Sequence, residues 1–459
     1  MERSTVLDAR PKAQTVPRRS VGIALLGCGT VGSGVLQVLS QKSRLLEGKL
    51  GCPLVVRGVA VRDLAKPRGP GVDKELLTGD AASLCADPSV DVVVEVMGGI
   101  EPARTLMAQA LRAGKTVVTA NKACLAAHWD DLVGAAREGG GDLYIEAAVC
   151  AGIPLIQSLK DGLAANRIRS LLGILNGTCN YILTRMSYDG WDYPQALAEA
   201  QRRGFAETDP TLDVEGHDAA QKLAILASLA FGARVRPADV ATEGISALTA
   251  LDLKNVREYL DSTVKLLAVI RQDESGMPVE ARVAPCILSA GHLLASVDDA
   301  ENAVWINGDV VGSVMFFGPG AGSLPTASAV VSDLLAAARD VRMGVAGTVP
   351  GIHAPLAPAL PIQNASELSA RYYLRITARD LPGLPAQVVR ALENNGIAVA
   401  TVLRSSDAAP GYASVAVVTD ETQERSAIRA RQALASLEGA RGQVAMLRFE
   451  REGEYSRKG

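Results

Sequence analysis

The sequence predicts an α/β protein that begins with a doubly wound parallel sheet. Between residues 20 and 150, short apolar runs rich in β-branched side chains alternate with helical stretches. The apolar runs cover 21–26, 54–61, 90–96 and 116–119. The clearest helical stretch, 102–113, is rich in alanine and stops at Gly114. Because strands that alternate with helices form parallel sheets, these residues predict one α/β domain.

The pattern changes twice beyond residue 150. The middle of the chain, about 151–345, is less periodic and combines helices with glycine-rich turns. Four prolines between 350 and 361 predict an extended linker over 346–370. Residues 371–450 then follow the order strand, helix, strand, strand, helix, strand, which is typical of a ferredoxin-like domain. Its predicted elements are strands at 372–377, 398–403, 414–419 and 444–449 and helices at 385–394 and 423–437.

The composition excludes several classes of protein. The 459 residues are 48% hydrophobic and 21% charged, which is typical of a folded globular chain. A net charge of −3 argues against a nucleic-acid surface. The longest uncharged run, 310–332, contains glycines and prolines that disfavour a membrane helix, and residues 1–19 lack the apolar stretch of a secretory signal. We therefore predict a cytoplasmic protein with a flexible N-terminal tail and with neither a membrane nor a nucleic acid as partner.

A glycine-rich turn follows the first predicted strand. Gly27, Gly29 and Gly32 form the pattern G-x-G-x-x-G where the strand ends and a helix begins. The first glycine permits a tight turn, the second lets a pyrophosphate approach the backbone, and the third permits close helix–strand packing. The free N–H groups at the helix start, around Thr30 and Val31, favour the negative charge of a phosphate. The turn therefore predicts a Rossmann-type dinucleotide-binding domain.

The second predicted strand ends in Arg62 and Asp63. An acidic residue at this place binds the ribose 2′-hydroxyl of NAD, whereas an arginine accommodates the 2′-phosphate of NADP. Because Arg62 lies nearer the strand end, the sequence favours NADP, while Asp63 leaves NAD open. Both residues are also compatible with plain surface charges.

The acidic segment 204–223 is the most specific chemical signal. Lys222 lies four residues after Asp218, on one face of a predicted helix. An apolar run begins directly after Lys222, which argues against an ordinary solvated loop. The segment suits an ammonium-bearing substrate, and calcium or magnesium is an alternative, although the spacing misses the EF-hand pattern. Five carboxylates lie within twelve residues, namely Glu207, Asp209, Asp213, Glu215 and Asp218.

Two further segments follow predicted strands. Lys122 comes after the strand 116–119, at the carboxyl end of a parallel strand, where ligands of open α/β sheets bind. Gly177 and Thr178 follow the apolar run 171–175 and precede a helix. Their N–H groups and hydroxyl suit a substrate carboxylate, although a helix cap explains them equally well.

The cysteines and histidines give weaker signals. Seven scattered cysteines without a CxxC pair predict neither a disulfide framework nor a zinc site. Cys124 and Cys150 lie near the site segments, but no histidine base lies beside them in the sequence, so we predict inert thiols. His217 is the one histidine near the acidic segment, and a structural role is predicted for it.

The motifs together resemble homoserine dehydrogenase over about residues 20–345. The motifs that carry this resemblance are GCGTVG, TANKA, EAAVCAGIP, NGTCNY, AETDPTLDVEGHDAAQKL and FFGPGAGSLPTASAVVSD. Residues 371–450 resemble an ACT domain, whose first strand–helix loop reads DLPGL at 380–384. The resemblance implies a dinucleotide-binding domain over 20–150 to which 319–345 return, and a substrate-binding and dimerisation domain over 151–318.

The resemblance also implies a reaction and its residues. The family reduces aspartate 4-semialdehyde to homoserine with a nicotinamide cofactor, on the route to threonine, methionine and isoleucine. It implies that Lys222 and Lys122 are the catalytic lysines, with Lys122 near the cofactor. The substrate contacts that it implies are Glu207, Asp213, Asp218, Gly177 and Thr178.

A sodium ion and an effector follow from the resemblance alone. The sodium ligands would be Glu146 and the backbone carbonyls of Val149, Ala151 and Ile153, although a hydrophobic turn explains these residues equally well. Cys150 stands where the family usually has glycine or alanine. The ACT resemblance implies pairing into a homodimer or homotetramer and feedback by an amino acid, expected to be threonine. The effector contacts would be Asp380, Gly383 and Leu384.

Two other functions compete with this interpretation. An aspartate semialdehyde dehydrogenase shares the substrate and the dinucleotide fold, but it requires an activated cysteine. A non-enzymatic sensor of dinucleotide and amino acid has no need of Lys222 beside a carboxylate cluster. The state of the cysteines and the surroundings of Lys222 therefore discriminate between the three functions.

Overall fold

The computed structural model describes residues 19–68, 72–272, 280–348, 359, 361–405 and 410–451. The predicted tail falls outside this set except for Arg19, and so does part of the predicted linker, at 349–358 and 360. No helix of the described residues is long and apolar enough to cross a membrane.

The first sheet has six strands, all parallel, in the order β3-β2-β1-β4-β5-β6. This strand order is that of dinucleotide-binding sheets, so the predicted doubly wound sheet is confirmed. Its strands are β1 (Val21–Leu26), β2 (Leu54–Ala60), β3 (Leu77–Thr78), β4 (Val92–Glu95), β5 (Thr116–Thr119) and β6 (Leu143–Tyr144). Its helices are α1 (Thr30–Gln41), α2 (Ser43–Leu50), α3 (Ala81–Ala86), α4 (Ala103–Arg112) and α5 (Lys122–Gly139).

The middle of the chain forms an antiparallel sheet that the sequence analysis missed. Its long strands are β7 (Ile168–Ile174), β9 (Ser262–Arg271), β10 (Glu280–Ser289), β11 (Glu301–Gly308) and β12 (Gly312–Pro319), and a short strand β8 (Ala241–Thr242) lies beside β10. Strand β9 is buried along almost its whole length. Because both of its faces carry core residues, its sequence lacks the alternation that identifies a half-exposed strand.

Helices pack on this second sheet and connect it to the first. They are α6 (Leu155–Gln157), α7 (Gly177–Tyr188), α8 (Tyr193–Arg202), α9 (Thr211–Val214), α10 (His217–Phe231), α11 (Ala250–Leu260) and α12 (Ser323–Met343). Helix α12 returns to the parallel sheet, where Val330 and Leu334 share an apolar core with Ile23 and Leu25. The Ser323 hydroxyl donates to the Thr30 carbonyl at 2.8 Å and joins the starts of α12 and α1.

The C-terminal part has the predicted ferredoxin-like order of elements. These are β14 (Tyr372–Arg379), α13 (Leu384–Glu393), β15 (Val399–Ser405), β16 (Tyr412–Thr419), α14 (Glu424–Ala435) and β18 (Ala440–Phe449), with a small ladder between β13 (Ser369–Ala370) and β17 (Thr422–Gln423). Strand β18 pairs with β10 in parallel, so the two antiparallel sheets are continuous in the order β12-β11-β7-β9-β10-β18-β14-β16-β15. The sequence did not predict this junction.

Buried ion pairs hold the junction between the two parts. Arg282 donates to Glu450 at 2.7 Å and to Glu280 at 2.5 Å, and the side chains of Arg282 and Glu450 are at most 4% exposed. Elsewhere in the junction, Arg375 of β14 donates to Asp252 of α11 at 2.9 Å. Because each charged group is removed from water, it requires its partner of opposite charge.

We predict that Arg375→Ala destabilises the protein by about 3 kcal/mol, because it leaves the buried Asp252 carboxylate without its cation. Arg404→Ala is the matched control, since Arg404 pairs with Asp380 on the surface of the same domain, where ion pairs contribute less than about 1 kcal/mol. Urea unfolding of both variants measures the difference. Equal losses of unfolding free energy would contradict the importance of the buried pair.

Candidate active site

A cleft of about 680 Å³ opens at the carboxyl edge of the parallel sheet. The glycine turn forms one wall. Gly27 has φ +102°, and a β-carbon on it would lie 2.7 Å from the Val96 carbonyl oxygen. A β-carbon on Gly29 would meet no described atom within 4 Å, so this part of the backbone faces open space at the start of α1. Both observations fit a dinucleotide whose pyrophosphate approaches the N–H groups around Thr30 and Val31.

A basic segment after β2 forms another part of the wall. Arg62, Asp63, Lys66 and Arg68 all line the cleft. The Asp63 carboxylate accepts the backbone N–H groups of residues 65 and 66 at 2.9 and 3.2 Å, so it caps its own turn. Arg68 donates to the carbonyls of Cys28 and Asp63 at 2.7 Å each and therefore bridges the glycine turn and the end of β2. Sequence reasoning missed Lys66 and Arg68, although the run RDLAKPR signals them.

A buried lysine–carboxylate pair forms the chemical centre of the second domain. The Nζ of Lys222 lies 2.7 Å from Asp218 Oδ2 and donates to the Leu175 carbonyl at 2.7 Å. Burial alone would lower the pKa of Lys222, but Asp218 outweighs it and the pKa lies above its ordinary value. Burial alone would raise the pKa of Asp218, but Lys222 and Lys122 lower it to about 2. Both groups are therefore charged at neutral pH.

Lys122 reaches the same carboxylate from the other domain. It begins α5, directly after β5, and its Nζ lies 3.2 Å from Asp218 Oδ1. Its side chain is 31% exposed, compared with 12% for Lys222. The two lysines that the sequence singled out thus meet at one carboxylate, the first from the parallel sheet and the second from α10.

Asn176 connects the acidic residues to one another. Its amide nitrogen donates to Asp213 Oδ1 at 2.8 Å and to Asp218 Oδ2 at 2.9 Å. Its carbonyl oxygen accepts the Cys179 N–H at 2.8 Å and caps α7. Burial raises the pKa of Asp213, against the effect of Asn176. The sequence left a helix cap and a substrate contact open for this segment; the structure shows that Asn176 caps α7 and also binds two carboxylates.

The remaining members of the acidic segment have different surroundings. Asp209 accepts the Thr211 hydroxyl at 2.6 Å, and Glu215 accepts the Ser246 hydroxyl at 2.7 Å, so both stabilise the local chain. Glu207 is exposed, and its carboxylate makes no ion pair or hydrogen bond with a described residue. His217 is exposed at the first position of α10.

Gly177 and Thr178 begin α7 beside the cluster. A β-carbon on Gly177 would lie 2.5 Å from the Ala300 carbonyl oxygen, so this position requires glycine. The Thr178 hydroxyl donates to the Phe205 carbonyl at 2.7 Å, so its one proton is engaged and only its lone pairs stay available.

A buried glutamate that the sequence analysis missed lies behind Lys122. Glu95 ends β4, is 0% exposed and accepts the Thr119 hydroxyl at 2.6 Å and the Met97 N–H at 2.8 Å. Burial raises its pKa. Asn121 donates to the carbonyl of Gly99 at 2.7 Å and caps the helix that Lys122 begins. In the sequence, the only signal for this residue was that Glu95 follows three valines at the end of a predicted strand.

The residues implied as sodium ligands form an oxygen-rich turn. The Glu146 carboxylate is 3% exposed and accepts two N–H groups of α6, each at 2.8 Å. The Ile153 carbonyl accepts a backbone N–H at 2.8 Å, whereas the carbonyls of Val149 and Ala151 accept no hydrogen bond from the described residues. These oxygen atoms fit a hard cation. The described residues contain no cluster of three His, Cys, Asp or Glu side chains suited to a metal ion.

The cysteines near the site are buried thiols. All seven cysteines are free and buried. Burial raises the pKa of Cys124 to about 12 and also raises the pKa of Cys150, whose Sγ accepts the Asn302 amide at 3.3 Å. Since a thiolate is the reactive form, neither residue suits the activated cysteine that a semialdehyde-oxidising enzyme needs.

The fold and the site together define an NAD(P)-dependent oxidoreductase. Residues 27–146 match the sequence model of the homoserine dehydrogenase NAD-binding domain, and residues 154–335 match that of homoserine dehydrogenase itself. The chain belongs to the homoserine dehydrogenase family. The family and the activity that the motifs implied are therefore confirmed, and the two competing functions are set aside.

Individual relatives agree over most of the chain. The homoserine dehydrogenase of Corynebacterium glutamicum is 46% identical over 389 residues, which cover 84% of this chain and 86% of the relative. That of Bacillus subtilis is 40% identical over 409 residues, or 88% and 93% of the two chains. The crystal structure of the Thiobacillus denitrificans enzyme superposes with a TM-score of 0.86 at 39% identity and covers 94% and 98%. A hyperthermophilic archaeal homoserine dehydrogenase in complex with NADPH gives a TM-score of 0.60 at 26% identity and covers 73% and 100%.

Proposed function

We propose that Lys222 is the proton donor in the reduction of aspartate 4-semialdehyde to homoserine. The observation that carries this proposal is the arrangement around its Nζ. An ammonium group has three N–H donors. Asp218 and the Leu175 carbonyl take two of them, each at 2.7 Å, and the third is left for a substrate oxygen.

The chemistry divides between cofactor and protein. A bound nicotinamide cofactor supplies the hydride that reduces the aldehyde carbon. Negative charge then develops on the aldehyde oxygen, and the Lys222 ammonium stabilises it and gives up its proton. Asp218 keeps Lys222 charged beforehand and holds it in place. Lys122, closer to the solvent and to the sheet edge, adds positive charge near the reacting oxygen.

The acidic groups bind the rest of the substrate in this proposal. Asp213 and Glu207 attract the substrate ammonium, and Asp218 contributes to the same negative surface. The start of α7, at Gly177 and Thr178, receives the substrate carboxylate through its N–H groups, where the helix dipole favours negative charge. Opposite ends of an amino-acid substrate are thereby recognised by groups of opposite charge.

We infer that NADP is the preferred cofactor. Arg62, Lys66 and Arg68 line the cleft where the 2′-position of the adenosine ribose lies in this fold. The Asp63 carboxylate is engaged by its own turn, which reduces its capacity to accept a ribose hydroxyl. The NADPH complex of the archaeal relative supports the same preference.

We propose that Glu146 and the carbonyls of Val149, Ala151 and Ile153 hold a sodium ion. Two carbonyls without a hydrogen bond beside a buried carboxylate support this, since an unpaired buried oxygen is costly. A cation here would stabilise the turn that joins the two domains.

We also propose that the C-terminal residues form an ACT domain through which threonine inhibits the enzyme. In the loop between β14 and α13, Asp380 pairs with Arg404 at 2.5 Å. Gly383 is the N-cap of α13 and has φ +83°. The Leu384 side chain is buried, so an effector would contact its backbone. We further propose that the protein forms a homodimer or homotetramer, for which the edge strands β15 and β12 offer unpaired backbone groups. We place it in the cytoplasm, with which its free cysteines are consistent.

We predict that Lys222→Ala lowers kcat for semialdehyde reduction by about 10² to 10⁴-fold, because the developing charge loses its proton donor. The Kd for NADPH should stay within about twofold of the original. Stopped-flow kinetics and cofactor fluorescence measure the two quantities. Lys49→Ala, an exposed lysine of α2, is the control and should change neither. Near-normal turnover of Lys222→Ala would refute the assignment.

The pH profile tests the role of Asp218. Its carboxylate raises the pKa of Lys222, so kcat for reduction should persist into the alkaline range and fall only as Lys222 loses its proton. In Asp218→Asn, the largest of the charges that raise the pKa of Lys222 is lost, so this pKa is lower and the same fall should begin at a lower pH. The exposed Asp209→Asn is the control and should leave the profile unchanged. An identical alkaline limb in Asp218→Asn would show that another group controls it.

Cofactor preference tests the basic segment. Arg62→Ala should lower kcat/KM for NADPH by about 10 to 100-fold and leave NADH nearly unaffected, because a charge-assisted contact with the 2′-phosphate is lost. Arg57→Ala, on the strand that precedes Arg62 but outside the cleft, is the matched control. If the ratio of the two cofactors does not change in Arg62→Ala, the preference for NADP has a different origin.

A further inference from the structure

A cavity of about 140 Å³ lies between the C-terminal domain and the second domain. Strands β8 and β10 form one side of it, and β14, β18 and the start of α14 form the other. Its charged lining groups are Glu243, Arg282, Glu424 and Arg448. The junction thus encloses a space with both positive and negative walls.

The cations of this cavity are not equivalent. Each of the three nitrogens of Arg282 already donates one hydrogen bond, to Glu280, Glu450 and the Cys286 Sγ. Arg448 is only 9% exposed, contacts Glu424, and its next carboxylate, Glu280, is 3.7 Å away. Burial and the nearby Arg282 lower the pKa of Arg448. A guanidinium has five N–H donors, so Arg448 retains donors for a carboxylate.

Two further polar groups of the lining interact with Arg448, namely Tyr372 and Glu243. The Tyr372 side chain is 0% exposed and its ring faces the Arg448 guanidinium, but its hydroxyl makes no hydrogen bond of normal geometry with a described residue. Glu243 lies at the rim, and its carboxylate forms no ion pair within 4.0 Å in the described part of the chain. A buried hydroxyl without a partner costs free energy unless a ligand satisfies it.

We propose that this cavity binds a small molecule that carries both a carboxylate and an ammonium group, namely a free amino acid. Arg448 and the Tyr372 hydroxyl bind the carboxylate, and Glu243 binds the ammonium. The inference goes beyond the feedback proposed above and does not depend on the loop at 380–384.

The position of the cavity relates it to catalysis. Thr242 and Val283 line it and also pack on Gly216, where a β-carbon would lie 3.1 and 3.2 Å from their methyl groups. Gly216 directly precedes α10, the helix that carries Asp218 and Lys222. A ligand in the cavity therefore contacts the side chains that support the first turn of the catalytic helix.

Thermal shifts of the full-length protein with each of the twenty standard L-amino acids test the proposal. At least one of them should raise Tm of the original protein, and calorimetry should give a Kd that Glu243→Gln weakens at least tenfold and Tyr372→Phe about three- to tenfold. Without amino acid, both variants should retain their homoserine dehydrogenase activity. The deaminated and decarboxylated forms of the amino acid that binds should each fail to shift Tm.

Asp380→Asn, which changes the proposed effector loop, is the control and should leave the Kd of the amino acid that binds in the cavity unchanged. If binding survives in both Glu243→Gln and Tyr372→Phe, or is lost in Asp380→Asn alone, the amino acid occupies the loop or the active site and the proposal is wrong. If no amino acid shifts Tm of the original protein, the proposal is also wrong. Initial rates of semialdehyde reduction on the same samples test the proposed catalytic function separately.

Discussion

The contact between the Lys222 ammonium and the Asp218 carboxylate is the constraint on which the site depends. Either charge alone would be strongly disfavoured at this depth, because burial removes its water. At 2.7 Å the two charges compensate each other, and the pKa of Asp218 falls to about 2. The Leu175 carbonyl and the Asn176 amide bind the same pair. The Lys222 ammonium is thereby kept charged and held in place, which is the state that its proposed role as proton donor requires.

Three parts of the fold must come together to build this contact. Strand β5 ends at the sheet edge where Lys122 begins α5, the turn after β7 supplies Asn176, and α10 carries Asp218 and Lys222. Glu95 holds the end of β5 in place, because its carboxylate accepts the Thr119 hydroxyl. The cleft lined by the glycine turn opens along the same sheet edge, so the proposed cofactor site and Lys122 lie on neighbouring elements. The arrangement depends on the relative position of two domains rather than on one motif.

The sequence predicted the parallel sheet and the glycine turn because both leave local signals, namely β-branched runs and glycines at fixed spacing. It also identified both lysines. It missed the antiparallel sheet, because strands such as β9 are buried on both faces and lose their alternation. Within the acidic segment, the i,i+4 spacing paired Asp218 with Lys222, but it did not show that Asp218 also contacts Lys122. That second contact joins α5 to α10, so it is a tertiary one that no local pattern encodes.

A crystal structure of the complex with homoserine and NADP tests the proposed role of Lys222 as proton donor. We predict that the Lys222 Nζ lies within about 3.2 Å of the homoserine hydroxyl while it still contacts Asp218, and that the hydroxyl-bearing carbon faces the nicotinamide ring. If the Nζ instead points away from the hydroxyl, or if another group occupies that hydrogen-bonding position, Lys222 is not the proton donor. The buried pair would then serve only to join the domains.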